Sequence, residues 1–76
     1  MPYINCRVME GVLSDEQKAE IAEQFTETIV SVVGEPVRGL TWVVIDDMTS
    51  GQLTIGGRPV TTEGVKEVLA GARVGA

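Results

Sequence analysis

Histidine is absent from this chain, cysteine occurs once, and there is one each of Phe, Tyr and Trp. With no histidine and no second thiol, neither a Cys/His zinc staple nor a disulfide can hold the fold. Cys6 has no imidazole to activate it and reads as a small buried hydrophobe rather than a catalytic thiol. Tyr3, Phe25 and Trp42 are too few to build a platform for stacked bases. Positive charge is scarce as well. Six Lys and Arg against eleven Asp and Glu leave a net charge of −5, which argues against the basic face that nucleic-acid binding requires. No apolar run approaches the roughly 20 residues of a membrane span, and no signal peptide is recognisable. The expected setting is a reducing cytoplasm, with no nucleic-acid or membrane partner and no metal.

What the chain does have is apolar material. Of its 76 residues, 43% are hydrophobic. A chain this short, read as one domain over residues 1–76, buries only about 60% of its unfolded surface. Its core is marginal without help, and with disulfides and zinc excluded the remaining help is self-association. A homo-oligomer is therefore expected.

The pattern along the chain is strand, helix, strand and a glycine-rich tail. Met1 to Met9 reads as a strand, with Ile4, Cys6 and Val8 on one face and Tyr3, Asn5 and Arg7 on the other. Ser14 is placed as a helix N-cap, with Gln17 three residues on completing a capping box and Asp15 and Glu16 favouring the dipole. Ile21, Ala22, Phe25, Ile29, Val32 and Val33 follow as an apolar stripe, with Glu20, Glu23, Gln24 and Glu27 opposite. Gly34 is the expected C-cap, and Glu35-Pro36 closes a helix of about 20 residues. Leu40 to Ile45 is rich in β-branched residues, reads as a strand buried on both faces, and stops at Asp46-Asp47. Those lengths predict a right-handed βαβ unit with parallel strands. The stretch from Met48 to Arg58 holds turn signals around a very short strand or hairpin. The tail from Thr62 to Ala72 reads as a weak short helix interrupted by Gly64 and Gly71.

Pro2 is the candidate catalytic residue. Trimming of Met1 would leave a secondary amine on the rigid start of a strand. An α-amino group titrates at about 7.7–8.0 in model compounds, and burial or a neighbouring cation brings it towards the neutral range where a general base works best. The plainer reading is that proline simply suits the first position of a strand. Asp46 and Asp47 do not make a metal site, since neighbours on a strand point to opposite faces.

Taken together, these residues resemble the 4-oxalocrotonate tautomerase family of the tautomerase superfamily. The resemblance is carried by Pro2 opening the first strand, by Glu10-Gly11 followed closely by Ser14-Asp15-Glu16-Gln17-Lys18, and by Glu35-Pro36 before the second strand. Gly51-Gln52-Leu53-Thr54-Ile55-Gly56-Gly57 in the hairpin completes it. It implies an α/β (α+β) fold, a βαβ unit plus a short C-terminal hairpin, with sheets joined in a dimer and dimers assembled to a hexamer. It also implies a cofactor-independent isomerase acting on a small-molecule enol or 2-oxo acid. In that chemistry Met1 is removed, Pro2 moves a proton between oxygen and carbon, and arginines from neighbouring chains hold the carboxylate.

The chain departs from that pattern at three places. Val12-Leu13 stands where an arginine commonly follows the first-loop glycine. Thr41 or Trp42 replaces the arginine of the second strand, and Leu53 replaces the hairpin aromatic. The usual clamp is therefore missing. Arg7, Arg38, Arg58 and Arg73 remain, and of these Arg38 and Arg58 are the candidate carboxylate ligands, with Val12, Trp42 and Leu53 as candidate pocket walls. Arg7 is read as a structural partner in the oligomer. Two alternatives stay open: hydration, dehalogenation or decarboxylation with Pro2 as acid, or a non-catalytic oligomeric binding module that has lost the substrate arginines.

Overall fold

A computed structural model describes the backbone of residues 1–75 and the side chains through Gly71; the Arg73 side chain lies outside the described residues. The elements are β1 (Tyr3–Met9), α1 (Asp15–Val33), a 3₁₀ helix (Glu35–Leu40), β2 (Trp42–Met48), β3 (Leu53–Ile55), β4 (Arg58–Val60) and α2 (Thr62–Gly75). The chain forms two units, Met1–Arg7 with Ser14–Asp46, and Val8–Leu13 with the chain from Asp47 onward. Each holds one buried apolar side chain among the described residues, Val37 in the first and Met9 in the second.

β1 pairs with β2. The Trp42 N–H donates to the Pro2 carbonyl at 2.8 Å, and the Glu10 N–H to the Met48 carbonyl at 3.0 Å. Start therefore meets start and end meets end, so the strands run parallel, as the βαβ reading predicted. Along β1 the side chains alternate between exposed and half-buried, with Ile4, Cys6 and Val8 on the inner face. α1 begins as its sequence dictates. The Ser14 hydroxyl accepts the Gln17 N–H at 3.1 Å while the Gln17 side chain accepts the Ser14 N–H at 2.9 Å. Gly34 caps the other end, its N–H donating to the Val30 carbonyl.

Four expectations change. The apolar stripe of α1 stops at Val30: Val32 and Val33 are 82% and 66% exposed in the last turn before the Gly34 cap. Glu35-Pro36 does not simply close the helix but starts the 3₁₀ helix, where proline sits in the first turn and gives up an N–H that has no partner there anyway. β2 starts later and runs further than Leu40–Ile45. It passes through Asp46 and Asp47 to Met48, since Asn5 donates to the Asp46 carboxylate and Glu10 to the Met48 carbonyl. Nor is β2 buried on both faces, with Trp42 exposed and Val43, Val44 and Ile45 half-buried.

In the second unit, β3 and β4 form an antiparallel hairpin with Leu53 opposite Val60, Thr54 opposite Pro59 and Ile55 opposite Arg58. Gly56 and Gly57 turn it with φ of 59° and 82°, a conformation that favours glycine at both central positions of a two-residue loop. α2 is longer than expected and uninterrupted. The Thr61 hydroxyl accepts the Gly64 N–H at 3.0 Å, so Gly64 falls in the first turn, where its helix penalty is small.

Candidate active site

Pro2 is half-buried at the head of the parallel sheet. Its carbonyl is held by the Trp42 N–H, which anchors the residue to the start of β2. Ahead of it, the Met1 ammonium donates to the Leu40 carbonyl at 3.2 Å. While Met1 is attached, the proline nitrogen is an amide with no basic lone pair. Trp42, the residue that fixes Pro2 through its backbone, leaves its own side chain 64% exposed.

Arg38 lies in the 3₁₀ helix and its guanidinium makes four hydrogen bonds to two carboxylates. Nε and one terminal nitrogen bond the Glu35 carboxylate, and both terminal nitrogens bond Glu27 on α1. The hydrogen bonds from Arg38, followed by its charge, hold Glu35 below its ordinary carboxylate value; the same hydrogen bonds do so at Glu27. The two carboxylates in turn push the guanidinium further up. Sequence spacing could have shown the Glu35 contact, since three residues is one helical turn. Glu27, eleven positions away, leaves no such signal.

The hairpin carries two more candidates. Facing partners in an antiparallel pair share a side of the sheet, so the register places Leu53, Ile55, Arg58 and Val60 on one face and Thr54 and Pro59 on the other. Arg58 is exposed at the tip beside Ile55, with Leu53 and Val60 towards the base. The face is an apolar strip ending in a guanidinium. Val12 is half-buried in the turn after β1, where its N–H reaches the Met9 carbonyl at 3.4 Å. The first unit thus holds Pro2, Trp42 and Arg38, and the second holds Val12, Leu53 and Arg58.

A short parallel βαβ unit headed by proline and followed by a glycine-turned hairpin defines a small class of α/β proteins. The family described as "Tautomerase enzyme" matches residues 2–63, and this chain belongs to it. Among curated relatives, a probable tautomerase of Lactococcus lactis is 39% identical over 57 residues, covering 75% of this chain and 90% of its own length. One of Bacillus cereus is 31% identical over 58 residues, covering 76% and 92%. Among solved structures, DmpI of Helicobacter pylori superposes with a TM-score of 0.69 at 28% identity, over 78% of this chain and 95% of that one. An apo unfused 4-oxalocrotonate tautomerase does so with a TM-score of 0.68 at 32% identity, over 78% and 93%. The match starts at Pro2, leaving Met1 outside it, and ends just inside α2.

Proposed function

We propose that this protein is a cofactor-independent tautomerase of a small 2-oxo or enol acid, with Pro2 as general base once Met1 has been removed. The observation that carries the reading is the anchored proline, its carbonyl bonded to Trp42 at the start of the parallel sheet. A base fixed by backbone rather than by a flexible side chain loses little freedom when it meets substrate. The enol proton passes from oxygen to the prolyl nitrogen and is returned to the adjacent carbon of the enol. Nothing is oxidised, and no co-reactant is consumed.

Arg58 is the first carboxylate ligand in this account, because its fork is exposed beside the apolar strip of Leu53 and Ile55. Arg38 can join only as Glu27 and Glu35 release it. Trp42 and Val12 are the candidate apolar walls, each on its own unit. The pocket is completed by neighbouring copies in a homo-oligomer, a hexamer by analogy with the resemblance above. Exposure of Trp42, Val32 and Val33 supports such an assembly.

The test uses ketonisation of phenylenolpyruvate by three forms of the protein. The trimmed protein should turn it over. A form that keeps Met1 should lose activity by about 10²–10⁴-fold, the usual contribution of a positioned general base. Pro2→Ala, trimmed to a primary amine, should keep part of it. Equal rates with and without Met1 would remove Pro2 from the mechanism.

A further inference from the structure

We propose that Glu10 is the positioning residue of the hairpin, setting the stance of the Leu53–Arg58 face through three of its own polar groups. The hairpin cannot set that stance itself. β3 and β4 have three residues each, the residues of β3 are all exposed, and an isolated two-stranded hairpin is marginal in water. Its orientation has to come from its base.

At the base, Glu10 makes three contacts. Its N–H donates to the Met48 carbonyl at the end of β2. Its carboxylate Oε2 accepts the Ser50 N–H at 2.7 Å, on the leg that leads into β3. Its carbonyl accepts the Thr62 hydroxyl at 2.8 Å, on the leg that leaves β4. The two legs are also stitched to each other, by the Thr62 N–H to the Ser50 hydroxyl at 2.9 Å and by the Gly51 N–H to the Val60 carbonyl at 2.8 Å. Every group in this ring is part-buried, so an unmade bond is not simply replaced by water. The carboxylate contact is also charge-assisted, the stronger kind. With Oε2 accepting a backbone N–H, the Glu10 side chain holds the incoming leg. The same ring sets the alignment of Arg58, three residues past β3.

The proposal rests on the tautomerase reading where it concerns catalysis, and on geometry alone where it concerns the hairpin, so the experiment has two arms. In the first, backbone amide exchange is followed in Glu10→Ala, Glu10→Gln and Thr62→Val. Protection of the Ser50 and Gly51 amides should fall at least ten-fold in Glu10→Ala and recover most of the way in Glu10→Gln, whose amide oxygen still accepts the bond. Thr62→Val removes only the second tether and should loosen the same amides, which keeps the test alive if Glu10→Ala does not fold. In the second arm, KM for phenylenolpyruvate should rise about ten-fold in Glu10→Ala with kcat within about two-fold, and Glu10→Gln should approach the parent. Unchanged exchange in both Glu10→Ala and Thr62→Val would overturn the proposal. So would a loss of kcat at constant KM, or a Glu10→Gln variant as impaired as the alanine. If the parent itself turns over no enol acid, the tautomerase reading fails, and the exchange arm still decides whether Glu10 holds the hairpin.

Discussion

Asn5 and Asp46 lie 41 positions apart, yet the Asn5 amide donates to the Asp46 carboxylate at 2.7 Å across the two parallel strands. The bond gives the Asp46 carboxylate a partner on β1 and shows that the two side chains share one side of the sheet. Its removal should cost about 0.5–1.5 kcal/mol, the net worth of an ordinary intramolecular hydrogen bond. Asn5→Ala and Asp46→Ala should each lower the denaturant midpoint, and the double mutant should lose less than the sum of the two. Strictly additive losses would mean the pair does not couple.

Arg58 is expected to act on binding more than on the chemical step. Arg58→Met should raise KM for phenylenolpyruvate about 10- to 100-fold, matching the ~1.5–3 kcal/mol of a hydrogen bond to a charged group. Arg38→Met should raise it less, since that fork is already spent on two glutamates. Steady-state kinetics of both variants give the comparison, and an unchanged KM in Arg58→Met would remove Arg58 from the carboxylate site.

The Arg38 cluster makes a prediction about acid. Glu27 and Glu35 are held below their ordinary value of 4.5 in the folded chain. A lowered folded value contributes stability that is present above pH 4.5 and lost as pH falls through the folded values. The stability difference between the parent and Arg38→Met should therefore be largest near neutrality and shrink in acid below that point. High salt should shrink it too, because all three groups are exposed. Urea midpoints at neutral and acid pH check this; a difference constant across the range would show the cluster contributes nothing.

Self-association is the fourth prediction. Among the described residues only Met9 and Val37 are buried apolar side chains, while Trp42, Tyr3 and Ile55 are more than half exposed. The protein should sediment as a hexamer, or at least as a multiple of a dimer, at micromolar concentration. A folded monomer would contradict it.

The sequence revealed those features whose causes lie close together along the chain. Ser14 and Gln17 are one turn apart, so the start of α1 could be placed to the residue. The alternation of β1 was readable for the same reason. The far end of β2 was not, since its partners beside the two aspartates are Asn5 on β1 and Glu10 just past it. Gly64 looked like a break in a helix because its neighbour Thr61 was not recognised as the cap that makes Gly64 a first-turn residue. Among the candidate site residues, Pro2 stands out by position alone. The engagement of Arg38 by Glu27 and the contacts of Glu10 at the hairpin base arise only in the folded chain.

The long-range tethers have a consequence for synthesis. Met1 to Leu40, Asn5 to Asp46, Glu10 to Ser50 and Glu10 to Thr62 each join one of the first ten residues to position 40 or beyond. A ribosome adding about 5–20 residues per second leaves β1 waiting roughly 2–8 s for the strand it pairs with. In that interval α1 can form from its own capping box, while Ile4, Cys6 and Val8 stay on an unpaired strand open to other nascent chains. Slow codons between residues 11 and 41 lengthen that wait, and slow codons after Met48 prolong it too, since β2 must clear the ribosome before it can pair.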